Sequence, residues 1–146
     1  MRTMGLDIGS RTIGVAISDE LAVAAQGLRI IKRKSMEEDL KEIKTIISDY
    51  EIEKVVVGLP KNMDGTLGKG AEAVFQWIQA FRESIDLAVV TWDERLTTVQ
   101  ATKILLEADL SRRKRKKVID KVAAVLILQA YLDHSRNQTD EPLLPA

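Results

Sequence analysis

The stretch Thr3-Met4-Gly5-Leu6-Asp7-Ile8-Gly9-Ser10-Arg11-Thr12-Ile13-Gly14-Val15-Ala16-Ile17-Ser18 decides how the rest of the chain is read. Residues 3–8 form a short apolar segment. Ile13, Val15 and Ile17 then alternate with Gly14, Ala16 and Ser18, the two-residue period of a strand. Gly9, Ser10, Arg11 and Thr12 between them suit a tight connection, so the spacing predicts a β-hairpin. One acid, Asp7, stands inside the first strand between Leu6 and Ile8. A lone carboxylate in a segment made for burial is costly unless it has a partner or a metal. It could be satisfied locally by the amides of the 9–12 turn, or it could mark a site, since buried acids gather at functional centres.

Outward from the hairpin, a third strand is predicted at about residues 24–33, after an Asp19-Glu20 turn. Ser35, with Glu38 three residues on, forms a capping box that opens a helix. Leu40, Ile43, Ile46 and Ile47 lie on one face of that helix. Val55, Val56 and Val57 in a row predict a strand over 54–59, buried on both faces and ended by Pro60. A helix over about 70–84, a strand from Leu87 to Trp92, a helix from the Thr97/Gln100 capping box to about Ala108, and a last helix from about Lys114 to His134 complete the order. Strands alternating with helices in the second half imply parallel crossovers, and the opening hairpin implies antiparallel pairing. The predicted fold is α/β: one five-stranded mixed sheet flanked by helices on both faces.

The chain has 146 residues, no cysteine, and 22 Lys and Arg against 22 Asp and Glu. That fits one globular domain, predicted to span residues 1–136, with 137–146 (containing Pro142 and Pro145) as a flexible C-terminal tail. The lack of cysteine excludes disulfides and thiolate zinc sites. No apolar run approaches the ~18 residues of a membrane span. Residues 1–9 carry Arg2 and Asp7 and do not read as a signal peptide, so a cytoplasmic location is expected. A net charge of zero argues against coating nucleic acid by bulk charge, although a sum says nothing about local segregation.

In open α/β sheets ligands sit beyond the carboxyl ends of the parallel strands. Asp7, Gly58-Leu59-Pro60 and the pair Asp93-Glu94 converge on that edge if the first, fourth and fifth strands run parallel. Glu94 precedes a capped helix, where the dipole alone would favour an acid. Asp93 is its rival, and strand alternation would turn it away if the strand continues. Asp120 lies on the last helix, in line with Ala123, Ala124 and Ile127, whose small leading residues allow close approach to the sheet. It could otherwise be a first-turn acid serving the helix dipole. Three carboxylates without His or Cys suit hard cations, Mg²⁺ or Mn²⁺, better than zinc. The only histidine, His134, reads as a solvent-facing residue near a helix end. Arg112, Arg113, Lys114, Arg115, Lys116 and Lys117 gather six cations at a helix start, the end the dipole disfavours. They are either a solvated run or a phosphate-contacting strip. Arg11 and Arg95 could add phosphate contacts or pair with neighbouring acids, and Lys61 and Asn62 begin a glycine-rich loop that could clamp a substrate. There is no Walker pattern, since Ala71 follows Gly70. Trp77 and Phe81, four apart on a helix, read as core.

Four segments, Met4–Ala16, Val57–Gly65, Trp92–Thr98 and Ile119–Leu132, resemble the YqgF/RuvX family of pre-16S rRNA nucleases and Holliday-junction-resolvase-like proteins. The resemblance covers residues 3–134, with the motifs in the family's order. It implies a ribonuclease H-like fold, with Asp7, Glu94 and Asp120 as catalytic, metal-binding acids of a two-metal site. It also implies a nuclease that trims the 5′ end of pre-16S rRNA in the cytoplasm, away from any membrane and associated with pre-ribosomal particles. A resolvase acting on branched DNA, and a non-catalytic RNA-binding assembly factor that keeps the fold, are the alternatives. Asp7-x-Gly9 in a hairpin is also similar to the phosphate-binding hairpin of actin-like kinases, but those enzymes need two such lobes and this chain has length for one.

Overall fold

A computed structural model of the chain describes residues 1–61, 64–96 and 112–140, the side chains of 112–120 and 137–140 excepted. Five strands form one sheet: β1 (Arg2–Ile8), β2 (Thr12–Ser18), β3 (Ala25–Lys32), β4 (Ile52–Leu59) and β5 (Ala88–Asp93). Their order is β3-β2-β1-β4-β5. β1 and β2 pair antiparallel, as do β2 and β3, while β4 runs parallel to both β1 and β5. The hairpin read from the alternation is present, closed by the Gly9 amide donating to the Thr12 carbonyl at 2.9 Å.

Among the described residues three helices cover the sheet: α1 (Met36–Asp49), α2 (Lys69–Ser84) and α3 (Arg112–Asp140). Ser35 caps α1 by accepting a hydrogen bond from the Glu38 amide at 3.1 Å. Leu40, Ile43 and Ile46 of α1 and Val74, Trp77, Ile78 and Phe81 of α2 pack on Met4, Leu6, Ile13, Val15, Val55 and Val57. Trp77 and Phe81 stack at 5.4 Å in this core. On the opposite face Ala123, Ala124, Ile127, Leu128 and Leu132 of α3 cover Ala16 and Val56. Strand alternation sorts the residues: even positions of β1 face α1 and α2, and odd positions face α3.

α3 extends past both expected ends, starting at Arg112 instead of Lys114 and running to Asp140 instead of His134, into the first residues of the expected tail. Lys and Arg are good helix formers, and no Gly or Pro falls between His134 and Asp140 to stop the helix. The helix expected over 97–108 lies outside the described residues.

The direction of α3 matters most for the site. A Cβ on Gly5 would meet the Leu128 Cβ at 2.6 Å and the Ala124 carbonyl oxygen at 3.2 Å. Farther along the helix, the Tyr131 hydroxyl accepts from Lys54 Nζ at 2.8 Å, and Lys54 is level with Thr3. Moving forward on α3 therefore moves backward along β1. Four helical residues rise about 6 Å and two strand residues about 6.6 Å. Ala124 is thus level with Asp7, and position 120 lies one turn farther, beyond the carboxyl edge of the sheet.

Candidate active site at the carboxyl edge of the sheet

Asp7 is the last odd-numbered residue of β1, so it lies on the α3 face, where it is only 7% exposed. β1 and β4 pair Leu6 with Val57, and continuing that register sets Asp7 level with Gly58. Gly58 in turn pairs with Trp92 of β5. Trp92 packs on the α3 face, and Glu94 follows two residues later in a single 3₁₀ turn (Glu94–Leu96). Glu94 is 2% exposed. A Cβ built on Gly58 would lie 3.3 Å from Glu94 Oε1 and 2.4 Å from Ile127 Cδ1, so the Glu94 carboxylate uses space that any larger residue at 58 would fill. Asp7 and Glu94 are therefore two buried acids on one face of the sheet, on either side of Gly58.

Asp93 goes elsewhere. As the last residue of β5 it alternates to the other side from Trp92. Its carboxylate takes Arg95 through the backbone amide at 2.9 Å, Nε at 3.2 Å and Nη2 at 2.8 Å, and Lys61 Nζ lies at 3.7 Å. The Arg95 side-chain hydrogen bond holds the Asp93 carboxyl below its ordinary ionisation range; burial opposes this, and the Arg95 amide and the charges of Arg95 and Lys61 reinforce it. Arg95 and Lys61 thus both pair with this acid. Arg95 also packs against the loop after β4: a Cβ on Gly65, whose φ is +88°, would lie 3.2 Å from Arg95 Nη1. That loop is closed by Asp64 Oδ1, which accepts from the Thr66 amide at 3.0 Å and the Thr66 hydroxyl at 2.6 Å.

The remaining predicted residues are placed as follows. Arg11 is exposed on the β1–β2 turn, beside Asp7's strand end. Arg112, Arg113, Lys114, Arg115, Lys116 and Lys117 form the first turns of α3, and Asp120 follows on the same helix; their side chains lie outside the described residues. Asn62 lies outside them entirely. His134 is not at a helix end: α3 continues beyond it, and its ring sits edge-on to Trp92 at 5.5 Å. Two residues that the sequence reading passed over also bear on this edge. Arg33 Nη1 donates to the Gly9 carbonyl at 2.8 Å, and Arg33 Nε lies 3.4 Å from Asp39 Oδ2. Their sequence signal is faint, a basic residue after a strand and an acid in a helix's first turns.

Asp7 and Glu94 supply carboxylate oxygens, and the chain has no thiolate and keeps its one imidazole against Trp92. This donor set fits a hard divalent cation. Among the described residues no three His, Cys, Asp or Glu side chains gather.

A five-stranded mixed sheet of this order, flanked by helices on both faces, is the ribonuclease H-like fold. RuvC of Thermus thermophilus, solved in complex with a Holliday junction substrate, superposes with a TM-score of 0.57 at 16% identity, covering 98% of this chain and 99% of that one. The fowlpox virus resolvase in complex with Holliday junction DNA gives a TM-score of 0.51 at 12% identity, over 92% of this chain and 99% of that one. Within that class, the family model described as "RuvX: Holliday junction resolvase" matches residues 1–134. A protein of Desulforamulus reducens named "Putative pre-16S rRNA nuclease" is 56% identical over 133 residues, 91% of this chain and 97% of that protein. One of the same name from Thermoanaerobacter pseudethanolicus is 55% identical over 139 residues, 94% of this chain and 100% of that protein. The chain belongs to the RuvX family, and with it to the nucleases of this fold.

Proposed function

We propose that this protein hydrolyses phosphodiester bonds in precursor 16S rRNA, in the cytoplasm and on pre-ribosomal particles, with Mg²⁺ or Mn²⁺ held as a pair by Asp7, Glu94 and Asp120. The observation that carries the reading is the pair of buried acids flanking Gly58 at the carboxyl edge of the sheet. Carboxylate oxygens gathered at a buried strand edge suit a hard divalent cation, whose charge complements theirs. When bound, divalent ions at such a site supply Lewis-acid stabilisation of charge on the phosphate oxygens and ease ionisation of the attacking water. Asp7 and Glu94 would fix the cations' position, and the packing of Ile127 and Trp92 beside them would exclude bulk water. Arg11, Lys61, Asn62, Arg95 and the run 112–117 would hold substrate phosphates, giving affinity and register with little sequence selection. The rRNA assignment follows the names of the relatives that match most of this chain.

The test is cleavage by purified protein of an RNA spanning the 16S 5′ leader, beside a four-way DNA junction, with Mg²⁺ or Mn²⁺ present. The expected result is RNA cleavage that Asp7→Asn abolishes while binding persists. Cleavage of the junction alone would transfer the assignment to branched DNA, the substrate in the structurally similar resolvases. Cleavage of neither would leave a non-catalytic assembly factor, and equal activity in the Asn variant would expose a contaminating nuclease.

A further inference from the structure

Asp39 is a buried carboxylate, 2% exposed, on the side of the sheet opposite the acids of the site. It sits in the first turns of α1 and reaches back to the segment between β3 and α1. Its Oδ1 accepts from the Lys34 amide at 3.0 Å, and its Oδ2 lies 3.4 Å from Arg33 Nε. A helix cap would explain the first contact, but Ser35 already caps α1. The second contact leads on to the site. The guanidinium that Asp39 holds spends Nη1 on the carbonyl of Gly9, at 2.8 Å, and the Arg33 amide donates to the Arg11 carbonyl at 2.8 Å. Gly9 stands two residues after Asp7, and its own amide closes the turn onto Thr12. Arg33 therefore grips the β1–β2 turn at both of its sides, and Asp39 fixes the plane of the gripping guanidinium. Arginine suits this task because its planar fork can serve two acceptors at once, which a lysine ammonium on a flexible stem does poorly.

We infer that Arg33 and Asp39 are positioning residues for the site: they lock the Gly9–Thr12 turn, hold the end of β1 in register, and so set the orientation of Asp7 toward a divalent cation. This rests on the reading of Asp7 as a metal-holding acid. Neither residue touches the site; both act through the backbone of the turn. Groups that orient a metal-holding side chain are worth about 10–100-fold in metal affinity or activity.

The experiment compares wild type, Asp7→Asn, Arg33→Met, Arg33→Lys and Asp39→Asn by Mn²⁺ titration calorimetry and by amide hydrogen exchange at Gly9, with thermal melts as the check on folding. Arg33→Met should speed exchange of the Gly9 amide without any metal present and weaken Mn²⁺ binding about tenfold or more. Asp39→Asn, which keeps an acceptor for Lys34 but not the ion pair, should give a smaller effect of the same sign. Arg33→Lys should fall between Arg33→Met and wild type, and it carries the test if Arg33→Met does not fold. A lowered melting temperature with unchanged Gly9 exchange and unchanged Mn²⁺ affinity in the folded variants would reduce the pair to a structural brace and overturn the inference. Mn²⁺ binding that Asp7→Asn leaves intact would instead refute the metal-holding role of Asp7, and the Gly9 exchange rates would then judge the turn lock by themselves.

Discussion

Gly5→Ala puts the geometry of the site to its most direct test. Gly5 lies on the central strand with β2 and β4 on either side, so the strand cannot retreat. The new methyl would sit 2.6 Å from the Leu128 Cβ and 3.2 Å from the Ala124 carbonyl oxygen. Carbon atoms settle at about 3.5–4.0 Å, so α3 must back away by about 1 Å. Neither obstacle is the loose end of a side chain, and Ala124 and Leu128 are fully buried. Overpacking of this kind costs about 1–3 kcal/mol. At this chain length roughly 3 °C accompanies each kcal/mol, which gives a fall of about 3–9 °C in melting temperature. On the proposed reading of Asp120 as a metal-holding acid, the effect on cleavage should be larger than the loss of stability implies, because α3 carries that residue. Shifting one acid of a metal site by about 1 Å can cost on the order of a hundredfold. Circular dichroism melts and single-turnover cleavage at 25 °C read the two effects separately. Gly70→Ala is the control, since its Cβ would meet only the Pro60 ring, at 3.3 Å, and should melt close to wild type. A Gly5→Ala protein that melts within 1 °C of wild type, by the ~3 °C per kcal/mol scale, and cleaves at the wild-type rate would refute the close approach of α3 to β1.

Three further outcomes follow from other parts of the structure. The Asp93 carboxyl is held below the ordinary carboxylate range by Arg95, so its stabilising contribution is complete above that range and is lost as pH falls through its lowered value; urea unfolding should show a gap between wild type and Asp93→Asn at pH 6 that narrows in strong acid, and a constant gap would deny the ion pair. Glu51 has a φ of +52°, where a side chain is strained, so Glu51→Gly should raise stability by about 0.5–1 kcal/mol in chemical denaturation, and a loss would show that the Glu51 side chain makes contacts that outweigh the strain. Replacing all six cations of 112–117 by Ala should flatten the salt dependence of nucleic-acid binding, each lost phosphate contact lowering the slope by about 0.7–0.9; an unchanged slope would make the run a solvated helix end.

The frame of this fold is legible because its signals are local. The alternation in 12–18, the valine row at 55–57 and the Ser35 cap each need only a few neighbouring residues, and each falls where it was read. Asp7 is legible for a related reason: an acid inside an apolar strand contradicts its surroundings and needs an explanation. The choice between Asp93 and Glu94 is different. Adjacent residues on a strand point to opposite faces, so the decision turns on one residue of register at a strand end, where sequence signals are weakest. In the structure Trp92 packs under α3, the Asp93 carboxylate pairs with Arg95, and the Glu94 carboxylate lies beside Gly58. The grip of Arg33 on Gly9 was less legible still. It joins residues 24 apart through a backbone carbonyl, and no spacing rule encodes a contact of that kind.

The two faces of the sheet divide the work. Toward α1 and α2 the sheet presents Met4, Leu6, Ile13, Val15, Val55 and Val57, large side chains that fill a core and keep those helices at a distance. Toward α3 it presents Gly5, Ala16, Gly27 and Gly58, and the helix answers with Ala123 and Ala124. Val56, Ile127, Leu128 and Leu132 bury apolar surface here, and the small residues between them add little burial to this face. Its gain is proximity, with the backbone of α3 nearly touching that of β1 at Gly5. Carboxylates are short, and on the proposed reading the acids Asp7, Glu94 and Asp120 could meet at shared cations only if their elements lie this close. On that reading the glycines at 5 and 58 serve the site although neither carries a functional group: each lets a neighbouring element approach where a side chain would block it.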